Sequence, residues 1–111
     1  MNAAATNPAN PLRRVHALGQ SIWLDDIRRG WLRDGHLARL ISDDAVAGVT
    51  SNPAIFAKSI SEGAEYNEGI TTLARAGRSI DEIYETLALE DVQAAADLFR
   101  QTFTATNGAD G

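Results

Sequence analysis

Large apolar residues fall in short clusters along the chain, and the spacing inside each cluster separates helix from strand. Leu12, Val15 and Leu18 keep a weak helical spacing that stops at Gly19. Ser21-Ile22-Trp23-Leu24-Asp25 sets three large apolar residues in a row and closes on a carboxylate, which predicts a short strand buried on both faces. Ile27, Trp31 and Leu32 then share a helical face, stopped by Gly35. Leu37, Leu40 and Ile41 give another turn or two of helix, ended by Ser42-Asp43-Asp44. Val46-Ala47-Gly48-Val49-Thr50 reads as a second buried strand. Ser51-Asn52-Pro53 follows at once, with Asn52 suited to an N-cap and Pro53 to a first helical residue.

The second half is more helical. Ile55, Phe56 and Ile60 form the apolar face of the helix begun at Pro53, and Ser61-Glu62-Gly63 break it. A helix over 65–76, carrying Ile70 and Leu73, closes at Gly77. Ser79-Ile80-Asp81-Glu82 fits a capping box. Behind it Ile83, Leu87, Ala94, Ala95 and Leu98 keep roughly helical spacing to about Phe103, which leaves open one helix or two broken over 89–91. Asn107-Gly108-Ala109-Asp110-Gly111 carries a turn signal.

Strands alternating with helices give an α/β class with parallel pairing. Both strands end in polar residues: Asp25 in one, Thr50, Ser51 and Asn52 in the other. In a (β/α)8 barrel the chemistry sits at the C-terminal ends of the strands, and such a barrel needs about 250 residues. A chain of 111 residues with two strands is therefore expected to be an incomplete, mostly helical N-terminal part of such a barrel. The expected division is a flexible tail at 1–11 and the barrel portion at 12–111.

Composition narrows the function classes. A net charge of -5, from 10 basic and 15 acidic residues, argues against a nucleic-acid binder. It leaves a phosphorylated substrate open, because a site can be locally positive on an acidic protein. The absence of cysteine excludes a disulfide scaffold, a thiolate metal site and a cysteine nucleophile. No apolar run approaches the roughly 20 residues of a membrane span. The first dozen residues lack the basic start and apolar core of a secretory signal. The expectation is a cytoplasmic protein without membrane attachment.

The segments Gly19-Gln20-Ser21-Ile22-Trp23-Leu24-Asp25 and Gly48-Val49-Thr50-Ser51-Asn52-Pro53 are similar to those of bacterial transaldolases, particularly the subgroup also found fused to a phosphoglucose isomerase. The similarity continues through Ala54-Ile55-Phe56, Ile83-Tyr84-Glu85 and Glu90-Asp91-Val92-Gln93-Ala94-Ala95-Ala96-Asp97 to the closing turn, and so covers nearly the whole chain from Asn10. The run from Thr50 to Pro53 behind a buried strand is its specific part; Trp23-Leu24-Asp25 alone is weak. The resemblance implies a (β/α)8 TIM barrel of the pentose phosphate pathway. Such an enzyme moves a dihydroxyacetone unit from sedoheptulose 7-phosphate to glyceraldehyde 3-phosphate through a Schiff base on a fourth-strand lysine. It implies sugar phosphate substrates and no metal or organic cofactor, and it leaves a homo-oligomer of the full-length protein open.

Carried over residue by residue, Asp25 matches the family's first-strand aspartate, a catalytic group that takes a proton from the substrate hydroxyl as the C–C bond breaks. Its neighbour Asp26 is expected to cap the following helix. Asn52 matches the second-strand asparagine, which hydrogen-bonds hydroxyls of the bound three-carbon unit, and it can serve as a cap as well. Thr50, one strand position earlier, is a further candidate to line the substrate site. Lys58 is the only lysine, yet it does not match the Schiff-base lysine and reads as a solvated surface residue. The chain by itself is therefore expected to be inactive. His16 and His36 stand alone without metal-ligand spacing, Trp23 and Trp31 read as packing residues, and Arg28-Arg29 as a solvated helix face rather than a phosphate site. Two other readings stay open: part of another Schiff-base aldolase on the same barrel, and a stand-alone helical interaction module. The module would have to be stable alone, which two short strands hardly support.

Overall fold

The computed structural model describes residues 10–111. The tail expected at 1–11 lies outside them except for its last two residues, which cap and open the first helix. In chain order the elements are α1 (Pro11–Ala17), β1 (Ile22–Leu24), α2 (Arg29–Arg33), α3 (His36–Asp44), β2 (Val46–Val49), α4 (Pro53–Glu62), a 3-10 turn (Ala64–Tyr66), α5 (Asn67–Arg75), α6 (Ile80–Leu98) and α7 (Arg100–Ala105). The two strands pair in parallel, connected through α2 and α3, as the alternation of patterns implies.

Local chemistry sets most of the boundaries. Asn52 Oδ1 accepts from the N–H groups of Ala54 and Ile55, and Pro53, which lacks an N–H to orphan, opens α4. Ser79 and Glu82 close a complete capping box at the start of α6. The ambiguity beyond it resolves to one helix of 19 residues. Leu87, Asp91 and Ala95 recur every four positions on its buried face, so burial runs straight through 89–91, and the break comes at Phe99, itself buried. Ala45, in the left-handed region at φ 57°, ends α3 and turns the chain into β2.

The sheet has one covered face. Leu24 pairs with Val49, and both pack against the core formed by residues such as Ile27, Leu37, Phe56 and Leu87. Trp23 pairs with Gly48 on the opposite face and is 54% exposed. This corrects both the expectation of a strand buried on two faces and that of Trp23 as a core residue: β1 is covered on one side by the helices, and its other side faces open space. The indole lies flat over the neighbouring strand, where a Cβ on Gly48 would come within 2.4 Å of the ring, so only glycine fits.

Asn10 on one side and Asp110 and Gly111 on the other approach the same end of the strands. Asn10 donates to the Asp43 carbonyl and the Asp44 carboxylate, which holds α1 against the last turn of α3, just before β2. Ser21, just before β1, donates to Asp110, and the Gly111 N–H donates to the Ala47 carbonyl at 3.1 Å. The Thr50 N–H points to β1, where it donates to Leu24 O. Among the described residues no helix is long and apolar enough to cross a membrane.

Candidate functional site

The opposite, C-terminal ends of the two strands carry the residues singled out by sequence. Register brings two of them together. Leu24 lies beside Val49, and the ladder continues one step as Thr50 N–H donates to Leu24 O at 2.9 Å. Asp25 and Thr50 therefore leave the sheet side by side, and Thr50 Oγ1 donates to Asp25 Oδ1 at 2.5 Å. Both side chains are exposed. They follow Trp23 and Gly48 by two positions, which places them on the sheet face that the helices leave open.

Asn52 stands two residues beyond Thr50 in extended conformation. Its Oδ1 is used by the cap of α4. Among the described residues its Nδ2 makes no hydrogen bond, and none links it to Asp25 or Thr50. The cap thereby fixes which end of the amide is free: the donor end faces solvent at the strand mouth.

Asp26 does not cap α2. The N-cap position is Arg28, which makes no side-chain cap bond. Asp26 Oδ2 instead accepts from Arg28 Nε at 2.9 Å, while its Oδ1 is buried and has no hydrogen-bond partner among the described residues. Lys58 is exposed on α4, in a cleft it shares with Asp26, Arg28, Glu62 and Glu65. His16 is exposed; His36 is half-buried, with its ring stacked on Trp31 at 4.1 Å between centroids.

The largest departure concerns Arg29, which is buried and not part of a solvated face. Its Nε donates to Asp91 Oδ1 at 2.7 Å, and Nη2 donates to the Leu87 carbonyl and to Glu90. Tyr66 Oη donates to the other Asp91 oxygen, and the guanidinium lies 4.6 Å from the centre of the Tyr66 ring. Burial alone would lower the Arg29 pKa, but the hydrogen bonds and charges of Asp91 and Glu90 outweigh it, and the value is raised. Burial first, then Asp91, pushes the Tyr66 phenol up as well. This network pins the segment behind Asp25 to α6 through Arg29, and Ile27 of the same segment is buried in the core. A signal for it was present in the sequence: Asp91 sits four residues from Leu87 and from Ala95, a charge on the apolar face of a helix, which demands a buried partner.

Residues 22–111 match the family described as Transaldolase/Fructose-6-phosphate aldolase. A transaldolase of Saccharopolyspora erythraea is 50% identical over 100 residues, covering 90% of this chain and 27% of that protein. Those of Thermobifida fusca and Acidothermus cellulolyticus are 44% and 45% identical over 102 residues, covering 92% of this chain and 28% and 27% of theirs. The chain thus spans about a quarter of the length of the curated relatives it matches.

Proposed function

We propose, since the chain belongs to the transaldolase/fructose-6-phosphate aldolase family, that it forms the first two β/α units of a transaldolase and brings Asp25 and Asn52 to the substrate site. The family folds as a (β/α)8 barrel, and the parallel strands with helices on one face are consistent with its N-terminal part. The observation that carries the reading is the pairing of Asp25 with Thr50 at the C-terminal ends of both strands, on the face turned away from the helices. In a closed barrel that face looks inward and that end holds the chemistry.

The reaction assigned to the whole protein transfers a dihydroxyacetone unit from a ketose phosphate, sedoheptulose 7-phosphate, to glyceraldehyde 3-phosphate. A lysine amine and the ketose carbonyl form a Schiff base, which draws electrons from the C3–C4 bond as it breaks. The C4 hydroxyl must lose its proton as it becomes an aldehyde; Asp25 accepts that proton and returns it when the acceptor aldehyde is attacked. Asn52 Nδ2 donates to a hydroxyl of the retained three-carbon unit and holds it for the second half-reaction. Lys58 is not assigned the Schiff base: it does not match the family's lysine and lies exposed on α4 among Asp26, Arg28, Glu62 and Glu65. The 111-residue chain alone is then inactive, and the whole protein works in the cytoplasm on sugar phosphates.

The test is a chimera in which residues 22–111 replace the matching segment of the Saccharopolyspora erythraea transaldolase. The chain alone is expected to give no turnover of fructose 6-phosphate with erythrose 4-phosphate, and the chimera to give turnover. A borohydride-trapped three-carbon adduct on Lys58 with turnover by the chain alone, or a folded chimera without activity, would overturn the proposal.

A further inference from the structure

Thr50 enters the site as a candidate substrate contact, yet its one hydroxyl proton is already committed to Asp25 Oδ1. The pairing is a consequence of the sheet: the Leu24–Val49 register and the bond from Thr50 N–H to Leu24 O set positions 25 and 50 side by side before either side chain is considered. Thr50 is β-branched, so its χ1 is stiff and the hydroxyl has a defined direction. Asp25, by contrast, is exposed and has two free torsions. Among the described residues Thr50 is its only side-chain hydrogen-bond partner, and Asp25 Oδ2 is left unengaged.

We propose that Thr50 is a positioning residue that acts through Asp25: it holds Oδ1 and so presents Oδ2 to the substrate hydroxyl. The inference rests on the reading of Asp25 as the proton-handling group. It assigns the specificity of Thr50 to the geometry of proton transfer and not to affinity for the sugar. Loss of the hydroxyl releases the carboxylate rotamer, and displacement of a reacting group by about 1 Å can cost about 10²-fold in rate. The bond needs the hydroxyl on Cβ, which serine keeps on a freer χ1 and valine lacks, so serine can largely replace threonine and valine cannot.

The first measurement uses the chimera labelled with 13C-aspartate, in which the Asp25 Cγ resonance is identified by its absence in Asp25→Asn. At neutral pH Thr50→Val is expected to move that resonance and Thr50→Ser to leave it near its original position. The second is turnover by the same chimera. Thr50→Val is expected to lower kcat by up to about 10²-fold with KM little changed, and Thr50→Ser to restore most of the rate. An Asp25 resonance indifferent to Thr50→Val overturns the proposal, as does a raised KM with unchanged kcat, the mark of a direct substrate contact. If Asp25→Ala leaves turnover intact, the reading of Asp25 falls and the catalytic purpose of Thr50 with it; a resonance that still moves then shows the hydrogen bond itself, which separates the two failures.

Discussion

Asp91 and Arg29 meet across 62 positions of sequence, and their contact decides how rigidly the loop after Asp25 is held. Both side chains are at most 7% exposed, so removing one leaves the other charged and desolvated. Asp91→Asn is expected to cost the chain about 3–5 kcal/mol in urea unfolding. Glu90→Gln should cost far less, because Glu90 is 58% exposed and its pair with Arg29 is screened. Equal losses for the two variants would contradict this account. Tyr66 adds a pH dependence. Its folded pKa is raised above the ordinary 10.0, so the neutral phenol contributes stability that is complete below that value and lost as pH rises through the folded one. Far-UV circular dichroism should show alkaline unfolding above about pH 10, and Tyr66→Phe should flatten that limb. Among single residues, the position of Asp25 and Thr50 at the ends of the two strands was legible, because each closes an apolar run. Arg29 was not: the adjacent Arg28 is exposed as expected, and nothing local tells which of two neighbouring arginines turns inward.

At the scale of elements, caps were the most legible feature and sheet faces the least. Asn52-Pro53 and Ser79-Glu82 act within four residues, so sequence contains all the atoms that matter. Ser79→Ala should cost about 1 kcal/mol of stability, read by thermal melting. The Glu82 pKa is lowered, chiefly by the hydrogen bond from the Ser79 N–H. That contribution is present above the ordinary carboxyl value of 4.5 and is lost as pH falls through the lower folded value. Ser79→Ala keeps that N–H, so the acid limb should survive in it and flatten in Glu82→Gln. Asn52 separates two roles in one side chain. Asn52→Asp keeps the oxygen that caps α4 but loses the amide donor, so the melting temperature should hold while the chimera leaks its three-carbon intermediate. A lower melting temperature with unchanged retention would assign Asn52 to the cap alone. The exposure of Trp23 and the continuity of α6 past residue 91 were not legible, because each depends on what packs from outside the segment.

At the scale of the whole molecule, several large apolar residues of the described chain stay uncovered. Trp23 and Leu89 are each 54% exposed and Phe103 is 56% exposed. A groove of about 550 Å³ between α4 and α6 is lined by Pro53, Phe56, Tyr84, Ala88, Leu89 and Val92. Apolar surface of this kind drives association, so sedimentation velocity on the chain alone should show mass rising with concentration. A monomer at every concentration with a sharp two-state melt would favour the stand-alone module instead. The central claim, that residues 22–111 bring the proton-handling carboxylate to a transaldolase site, is tested most directly by Asp25→Ala in the chimera, with Asp26→Ala as control. Borohydride trapping should capture a lysine adduct that still holds the intact ketose, with turnover lowered about 10²–10⁴-fold, while Asp26→Ala turns over nearly normally. Normal turnover by Asp25→Ala together with its loss in Asp26→Ala would contradict the account.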